Sequence, residues 1–557
     1  MGKYTIGIDF GSLSGRAVLS DTATGREVAA ATLDYPHAVM DTHLTAAGDI
    51  PLPADFALQD PRDYLLVLET TLPRIIGEAG ISPDEVVGIA VDFTCCTLLP
   101  VDEDGLPLCA KPEFAANPYA YVMLWKHHAA QKYADRMNEI ARQRGEKFLD
   151  QVGGTISSEW MFPKICQVLE EAPEVYRAAR YFMEAGDWIT WMLCGTQTRG
   201  YQFAAYKSLY VKGVGYPSED FFAAVHPDLR FVVRDKLIEP TTMLGDKVGN
   251  VCEKAASAFG LSTQTAVGAP VPDAHVAALA LGVKEKGDMF AVLGTSGCFF
   301  LVGDRNVVVP GICGTVPDGI LPGLYGFEAG LCCLGDHFAF AAEKLTSPAY
   351  VKEAAERGIP MLRLLIEKAA QRKPGESGVI ALNWFNGNRS TLVDSALSGL
   401  FVGLTLTTAP EDLMRALIEA TAFGWRTIVE AFEACGVAVE NIIASGGIAR
   451  KDPFTMQLYA DVLGRDIAIA ETAQAPAMSA SIGAAVAAGV YPNLHAASTA
   501  MASKIDRIFH PVAAHTAIYD QLYAEYMTLR DYFGKGGNDV MHRLRTLATR
   551  QKGDHHG

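Results

Sequence analysis

Along the chain, short apolar runs that stop at glycine or an acidic residue alternate with longer stretches whose apolar positions recur at helical spacing. "YTIGID" (4–9) and "GRAVLSD" (15–21) predict two strands paired around a glycine turn. "PRDYLLVLETTLPRII" (61–76) predicts a helix, and "VVGIAVDF" (86–93) a buried strand that carries Asp92 near its end. Residues 125–148 and 163–180 predict amphipathic helices.

The second half restarts the pattern. "DMFAVLGTSG" (288–297) is again an apolar strand ending in glycine and hydroxyls. Residues 410–436 predict a long helix closed by Gly436, and "NIIASGG" (441–447) a strand running into a glycine pair. "ASIGAAVAAGV" (480–490) predicts a helix of small residues, suited to close packing. Residues 515–533 predict a helix with the apolar stripe Ile518, Leu522, Tyr526, Leu529 and Phe533.

Alternating strands and helices imply α/β layers. The halves also share an order of parts: "IGIDFGS" (6–12) matches "FAVLGTS" (290–296), and "VVGIAVD" (86–92) matches "NIIASGG" (441–447). This predicts two similar α/β domains, residues 1–280 and 281–557, with a boundary in the polar stretch near 281–290 and a ligand cleft between them.

Composition narrows the function. A chain of 557 residues exceeds what one hydrophobic core serves. With 49% hydrophobic and 20% charged residues it reads as globular, and a net charge of −17 argues against a duplex nucleic-acid binder. The eleven cysteines include no CxxC pair, which suits reduced thiols in a cytoplasmic protein. No apolar run reaches the roughly 18–20 residues of a membrane span, and Asp9 interrupts the N-terminal run too early for a signal-peptide core. The neighbouring pairs Cys95–Cys96, Cys332–Cys333 and His127–His128 have the wrong spacing for a metal site.

No P-loop, dinucleotide fingerprint or GxSxG elbow occurs. What remains are three glycine loops at strand ends, 11–15, 294–297 and 446–447. Glycine lets backbone N–H groups approach an oxyanion and the hydroxyls add donors, although ordinary tight turns look the same. Asp9 would repel a polyphosphate unless a cation stood between them, and Mg²⁺ bridges carboxylates to nucleotide phosphates. Turn capping is the plainer reading of that Asp.

In order along nearly the whole chain, "DFGSLSGR" (9–16), "GTSG" (294–297), "ALIEATAFGWR" (416–426) and "ASGGIARKDPFTMQLYADVLG" (444–464) resemble the first phosphate loop, the second phosphate loop, a helix and the adenosine segment of the FGGY carbohydrate kinases. The resemblance implies two similar actin/hexokinase-like (ribonuclease H-like) ATPase domains, with ATP and Mg²⁺ required for phosphoryl transfer. "KPEFAANP" (111–118), "MLWKHHAA" (123–130), "GGTISSEW" (153–160), "YKSLY" (206–210), "PDAH" (272–275), "GICGTV" (311–316) and "GFEAG" (326–330) narrow it to the branch that phosphorylates L-ribulose. Another ketopentose or pentitol, such as D-ribulose or ribitol, is the alternative within the family, and an actin-like switch ATPase the alternative outside it.

By this resemblance Asp273 is the catalytic base, and Cys95, Trp125, Lys126, Lys207, Asp273 and Glu328 contact the sugar. Gly11, Ser12, Ser14, Arg16, Gly294, Thr295, Ser296, Gly446 and Gly447 hold ATP and its phosphates, and Asp9 faces Mg²⁺ through water. The implied partners are a small sugar and ATP, not nucleic acid or membrane. The long apolar helices late in the chain leave room for a homodimer. Two departures stand out. His127 replaces an acid of the relatives, at the expense of a local ion pair. Cys95 replaces a small residue, which would alter the choice of pentulose.

Overall fold

The computed structural model describes residues 3–239 and 242–553. The first predicted hairpin forms as β1 (Tyr4–Phe10) and β2 (Ser14–Asp21), antiparallel with Asp9 opposite Arg16 and Phe10 opposite Gly15. β3 (Glu27–Asp34) continues it. On the other side β4 (Val86–Phe93) runs parallel to β1, with Asp92 beside Asp9. Beyond it lie β5 (Lys247–Asn250) and β6 (Ala266–Gly268), giving the order β5–β6–β4–β1–β2–β3, while β7 (Val271–Pro272) also pairs with β4.

Helix α1 (Pro61–Ala79) begins where Asp60 accepts a hydrogen bond from the Arg62 N–H, with Pro61 in the first turn, and stops at the left-handed Gly80. Its buried Tyr64, Val67, Leu68, Leu72 and Ile75 cover one face of the sheet. Each such side chain contributes about 1.5–3 kcal/mol when fully buried. Phe10 and Phe93 stack at 4.8 Å on this face, edge-on to Tyr64.

The opposite face of the same strands is nearly bare of side chains. A Cβ on Gly7 would come within 1.7 Å of the Ala477 carbonyl oxygen, and one on Gly88 within 2.5 Å of that of Ala484. The small-residue helix therefore lies almost against the strand backbone, and Thr5 Oγ1 meets Ser481 Oγ at 2.8 Å. It spans Ala475–Ala487. Contacts divide the chain into two units. The first is Met1–Lys284, Val316–Tyr325 and Gln474–Ser503, and the second Glu285–Thr315, Gly326–Ala473 and Lys504–Gly557. Residues 474–503, assigned from sequence order to the second domain, thus pack within the first, whose strands carry the glycine and alanine face against which this helix lies.

Two predicted helices are reshaped. In 125–148 the helix, α2, runs only over Gln131–Arg144; His127 N–H bonds to the Leu124 carbonyl and His128 N–H to that of Asp55, which keeps 125–130 in turns. In 163–180, α3 (Met161–Glu171) and a short helix Pro173–Ala178 are separated at Ala172, since Pro173 cannot continue the ladder. Between Gly200 and Ser208 lies α4 (Tyr201–Lys207).

In the second unit the predicted strand is β8 (Asp288–Leu293), antiparallel to β9 (Gly297–Gly303) with Leu293 opposite Gly297. With β10 (Gly314–Pro317), β11 (Tyr325–Leu331), β12 (Asn441–Ser445), β13 (Ile467–Ala470) and β14 (Ile505–Phe509) the sheet order is β10–β11–β9–β8–β12–β13–β14. β12 runs parallel to β8 as β4 does to β1. The faint sequence repeat is therefore a repeat of topology. Helices α5 (Gly335–Lys344), α6 (Pro410–Ala434), α7 (Gly447–Lys451) and α8 (Pro453–Leu463) follow in the second unit, with α9 (Ala475–Ala487) being the helix already described in the first.

Helix α10 (Ala513–Gly534) is present, but its buried face is not the predicted stripe. Tyr519, Tyr523, Tyr526 and Arg530 are buried, whereas Ile518 stays 37% exposed. The phenols turn inward because each hydroxyl finds a polar partner: Arg415 for Tyr519, Glu430 for Tyr523 and Asn383 for Tyr526. Of the predicted stripe, Tyr526 alone is fully on the inner face. No helix of the described residues is long and apolar enough to cross a membrane.

Candidate active site

The first glycine loop is held from behind. Gly11 N–H bonds to the Ser14 carbonyl at 3.0 Å, and Tyr35 Oη donates to the Gly11 carbonyl at 3.0 Å. Gln59 Nε2 donates to the Ser12 carbonyl at 2.8 Å, and is itself fixed by Tyr64 Oη on its Oε1. Trp125 Nε1 donates to Ser12 Oγ at 2.9 Å, so a residue expected at the sugar braces one expected at phosphate. Arg16 is not aimed away from the acid beside it: its Nη1 contacts Asp9 Oδ2 at 3.2 Å across the hairpin.

Asp9 and Asp92 belong to one face of the sheet, and Asp273, just past the end of β7, is near enough for its charge to act on Asp92. Asp9 and Asp92 are register partners, Asp92 pairs with Val271, and Asp273 stands two residues beyond Val271. Burial raises the pKa of Asp9, against the pull of Arg16. Asp92 is completely buried, and burial followed by the Asp9 and Asp273 carboxylates holds its pKa well above the usual range. No donor group of another residue reaches either Asp92 oxygen, and its side-chain neighbour is the Asp9 carboxyl. Side-by-side carboxylates cannot both stay ionised without a proton or a cation between them. Asp273 opens a helical turn, Asp273–Val276, where its Oδ1 accepts from the Ala274 N–H at 2.6 Å.

Cys95 follows β4 by two residues, in a turn where Cys96 takes the left-handed φ of 64°. Its thiol is pushed well above its ordinary pKa by burial and the adjoining Cys96, with the Lys207 charge opposing. It is a neutral thiol. Lys207, half-buried at the end of α4, lies 5.7 Å from the Trp160 ring. Trp125 and Lys126 are half-buried on the segment after the strand Val122–Met123.

A residue outside the sequence-based set joins these parts. Lys164, fully buried in α3, donates Nζ to the carbonyls of Cys96 (2.6 Å), Leu124 (2.8 Å) and Met123 (3.3 Å). It ties the Cys95 turn to the Trp125 segment. The sequence signal was a lone lysine inside the apolar window 161–169. His127 forms no ion pair: Nδ1 accepts from the Ala57 N–H, leaving Nε2–H to donate to Gln167 Oε1 at 2.9 Å. Burial, and then the Lys164 charge, lowers its pKa to about 3.

In the second unit the other two glycine loops meet. Gly294 N–H bonds to the Ser296 carbonyl at 3.0 Å, while the Gly294 and Thr295 carbonyls accept from Gly335 and Leu334 at the start of α5. Gly446 has φ 97°, and a Cβ there would come within 2.5 Å of the Leu293 carbonyl oxygen. Gly294, Thr295, Ser296, Gly446 and Gly447 thus form one rim around β8 and β12, exposed at Gly294, Thr295 and Gly447 and half-buried at Ser296 and Gly446. Glu328, also in this unit, is buried on β11, where its carbonyl accepts from the Cys313 N–H. The remaining expected residues, Asp9, Gly11, Ser12, Ser14, Arg16, Cys95, Trp125, Lys126, Lys207 and Asp273, all belong to the first unit. Among the described residues no three His, Cys, Asp or Glu side chains are placed to hold a metal ion by themselves.

Comparison with known proteins gives this geometry a context. Residues 4–280 match the FGGY family of carbohydrate kinases, N-terminal domain, and residues 289–490 match its C-terminal domain. The ribulokinase of Bacillus licheniformis is 49% identical over 539 residues, 96% of this chain and 97% of that protein. The ribulokinase of Halalkalibacterium halodurans is 46% identical over 553 residues, 99% and 98% of the two chains. Among solved structures, a gluconate kinase from Lactobacillus acidophilus superposes with TM-score 0.79 at 17% identity, over 96% of this chain and 99% of that one. A xylulose kinase from Rhodospirillum rubrum gives 0.77 at 21% identity, over 95% and 98%. At these identities the structures speak for the fold alone.

Proposed function

The chain belongs to the FGGY family of carbohydrate kinases, and from that premise we propose that it transfers the γ-phosphate of ATP to the C5 hydroxyl of L-ribulose, giving L-ribulose 5-phosphate and ADP in L-arabinose catabolism. One observation carries the choice of sugar: near-full-length identity of 49% and 46% to ribulokinases, over a span that includes every expected sugar-contact position.

Phosphoryl transfer depends on positioning and charge stabilisation more than on covalent help. The hydroxyl oxygen bonds to the γ-phosphorus as the bond from phosphorus to the bridging oxygen breaks, and ADP leaves with that electron pair. Asp273 takes the hydroxyl proton. A carboxylate is a weak base for an alcohol, so its orienting hydrogen bond matters as much as its basicity. Lys207 donates to sugar hydroxyls, Glu328 accepts from them, and Trp125, Lys126 and Cys95 complete the wall. Support for this grouping comes from Lys164, which fixes the Cys95 and Trp125 segments to each other.

Gly11, Ser12, Ser14 and Arg16 are assigned to one phosphate-facing loop, Gly294, Thr295 and Ser296 to another, and Gly446 and Gly447 to the adenosine side. The donors of the first loop fit a hard divalent cation, since Asp9 is a buried carboxylate and no donor from another residue reaches the oxygens of Asp92 beside it. Bound Mg²⁺ would neutralise phosphate charge there, with Asp9 holding it through water.

A coupled ADP-release assay over a panel of pentuloses and pentitols tests the reading. L-Ribulose should give the highest kcat/KM. A higher value for D-ribulose or ribitol would reassign the sugar, and ADP release that needs no sugar would overturn the kinase reading.

A further inference from the structure

The Asp92 carboxylate is unexplained by the fold and by the roles assigned above. It is fully buried, no donor from another residue reaches its oxygens, and its side-chain neighbour is another acid, Asp9. Buried carboxylates are ordinarily paired or bound to metal. The guanidinium beside it is committed elsewhere, since Arg16 Nη1 contacts Asp9 Oδ2 at 3.2 Å. Nor does the architecture require an acid: in the second unit Val292 pairs with Ser445 in the register where the first unit pairs Asp9 with Asp92. Parallel pairing puts Asp92 on the same sheet face as Asp9, and Asp273 comes directly after the strand that pairs with Asp92 and Phe93.

We propose that Asp92 is a second metal-facing carboxylate, which with Asp9 flanks the divalent cation of the metal–nucleotide complex. The proposal rests on the kinase reading. Mg²⁺ takes oxygen ligands, keeps several waters and uses one or two carboxylates together with phosphate oxygens, so a pair of acids suffices where a protein-only cage does not form. An oxygen pair with no donor is the arrangement such an ion or its waters would complete, and it leaves the Asp9–Arg16 contact in place.

The test measures Mn²⁺ binding to the full-length protein by electron paramagnetic resonance in the presence of ADP, where no transfer occurs. Asp92→Asn and Asp9→Asn should each weaken Mn²⁺ binding about tenfold or more. Without metal or nucleotide, Asp92→Asn should unfold at a temperature equal to or above that of the parent, because it removes an uncompensated buried acid. Mn²⁺ affinity of Asp92→Asn within twofold of the parent overturns the proposal and leaves the kinase reading intact. A variant that fails to fold also overturns it, by making Asp92 a structural residue. If the parent takes up no Mn²⁺ with ADP, the kinase reading fails and the proposal with it.

Discussion

The two glycine hairpins share a plan and differ in charge. Each joins antiparallel strands whose first member has a parallel neighbour, β1 with β4 and β8 with β12. At equivalent register the first carries Asp9, Arg16 and Asp92, and the second Val292, Cys298 and Ser445. Topology therefore dictates where a loop leaves the sheet, and the penultimate strand residue decides what the loop can do. The first sets two acids and an arginine beside its loop. The second sets valine, cysteine and serine there, with no charged side chain at those positions.

The contrast can be broken by substitution. Asp273→Asn should have the largest effect, a fall in kcat of about 10²–10⁴ with ATP binding unchanged within twofold, read by single-turnover kinetics and titration. Retained turnover would remove Asp273 from the base role. Asp9→Asn should come next, raising the Mg²⁺ concentration for half-maximal rate by roughly 10–100-fold; an unchanged Mg²⁺ dependence would erase the distinction between the hairpins.

In the second unit Gly446→Ala should act through the backbone instead. It forces an L side chain to φ 97° against the Leu293 carbonyl, at about 1–3 kcal/mol. Lower thermal stability and weaker ATP binding without altered Mg²⁺ dependence are expected.

His127 gives a pH signature. Its folded pKa of about 3 lies below the ordinary 6.5, so the unfolded chain takes up the proton first. The stability it contributes is complete above about pH 6.5 and is lost as pH falls toward 3, at up to about 1.4 kcal/mol per pH unit. Denaturant titrations of His127→Gln should show a flatter acid limb; an unchanged slope would mean that the histidine is charged in the fold. Ser445→Ala should do least, since its bond to the Ala291 carbonyl is long at 3.4 Å. Stability and Mg²⁺ dependence should stay within about 0.5 kcal/mol and twofold.

Elements with one dominant signal were legible in the sequence. The apolar runs gave β1, β4, β8 and β12, and their glycine ends gave the loops. Residues of mixed character were not. The α10 tyrosines rank below leucine and isoleucine on apolarity, yet they bury because their hydroxyls find partners. Lys164 and Gln59 look like interruptions of apolar surroundings, and their purpose, holding loop carbonyls, depends on segments up to 68 residues away. Asp92 shows in the sequence as an acid near a strand end, but its place beside the Asp9 carboxyl, out of reach of any donor from another residue, exists only once β1 and β4 align.

The same limit applied to α9, whose composition announced close packing without saying against what. Its place on β1 and β4 has a temporal cost. During synthesis at about 5–20 residues per second, the strip of Gly7, Gly88, Ala90 and Gly268 leaves the ribosome long before residues 475–487 arrive to cover it. The first unit of this chain is therefore completed only after most of the second has been made. A nascent chain stalled within residues 285–473 would present that strip to chaperones and proteases.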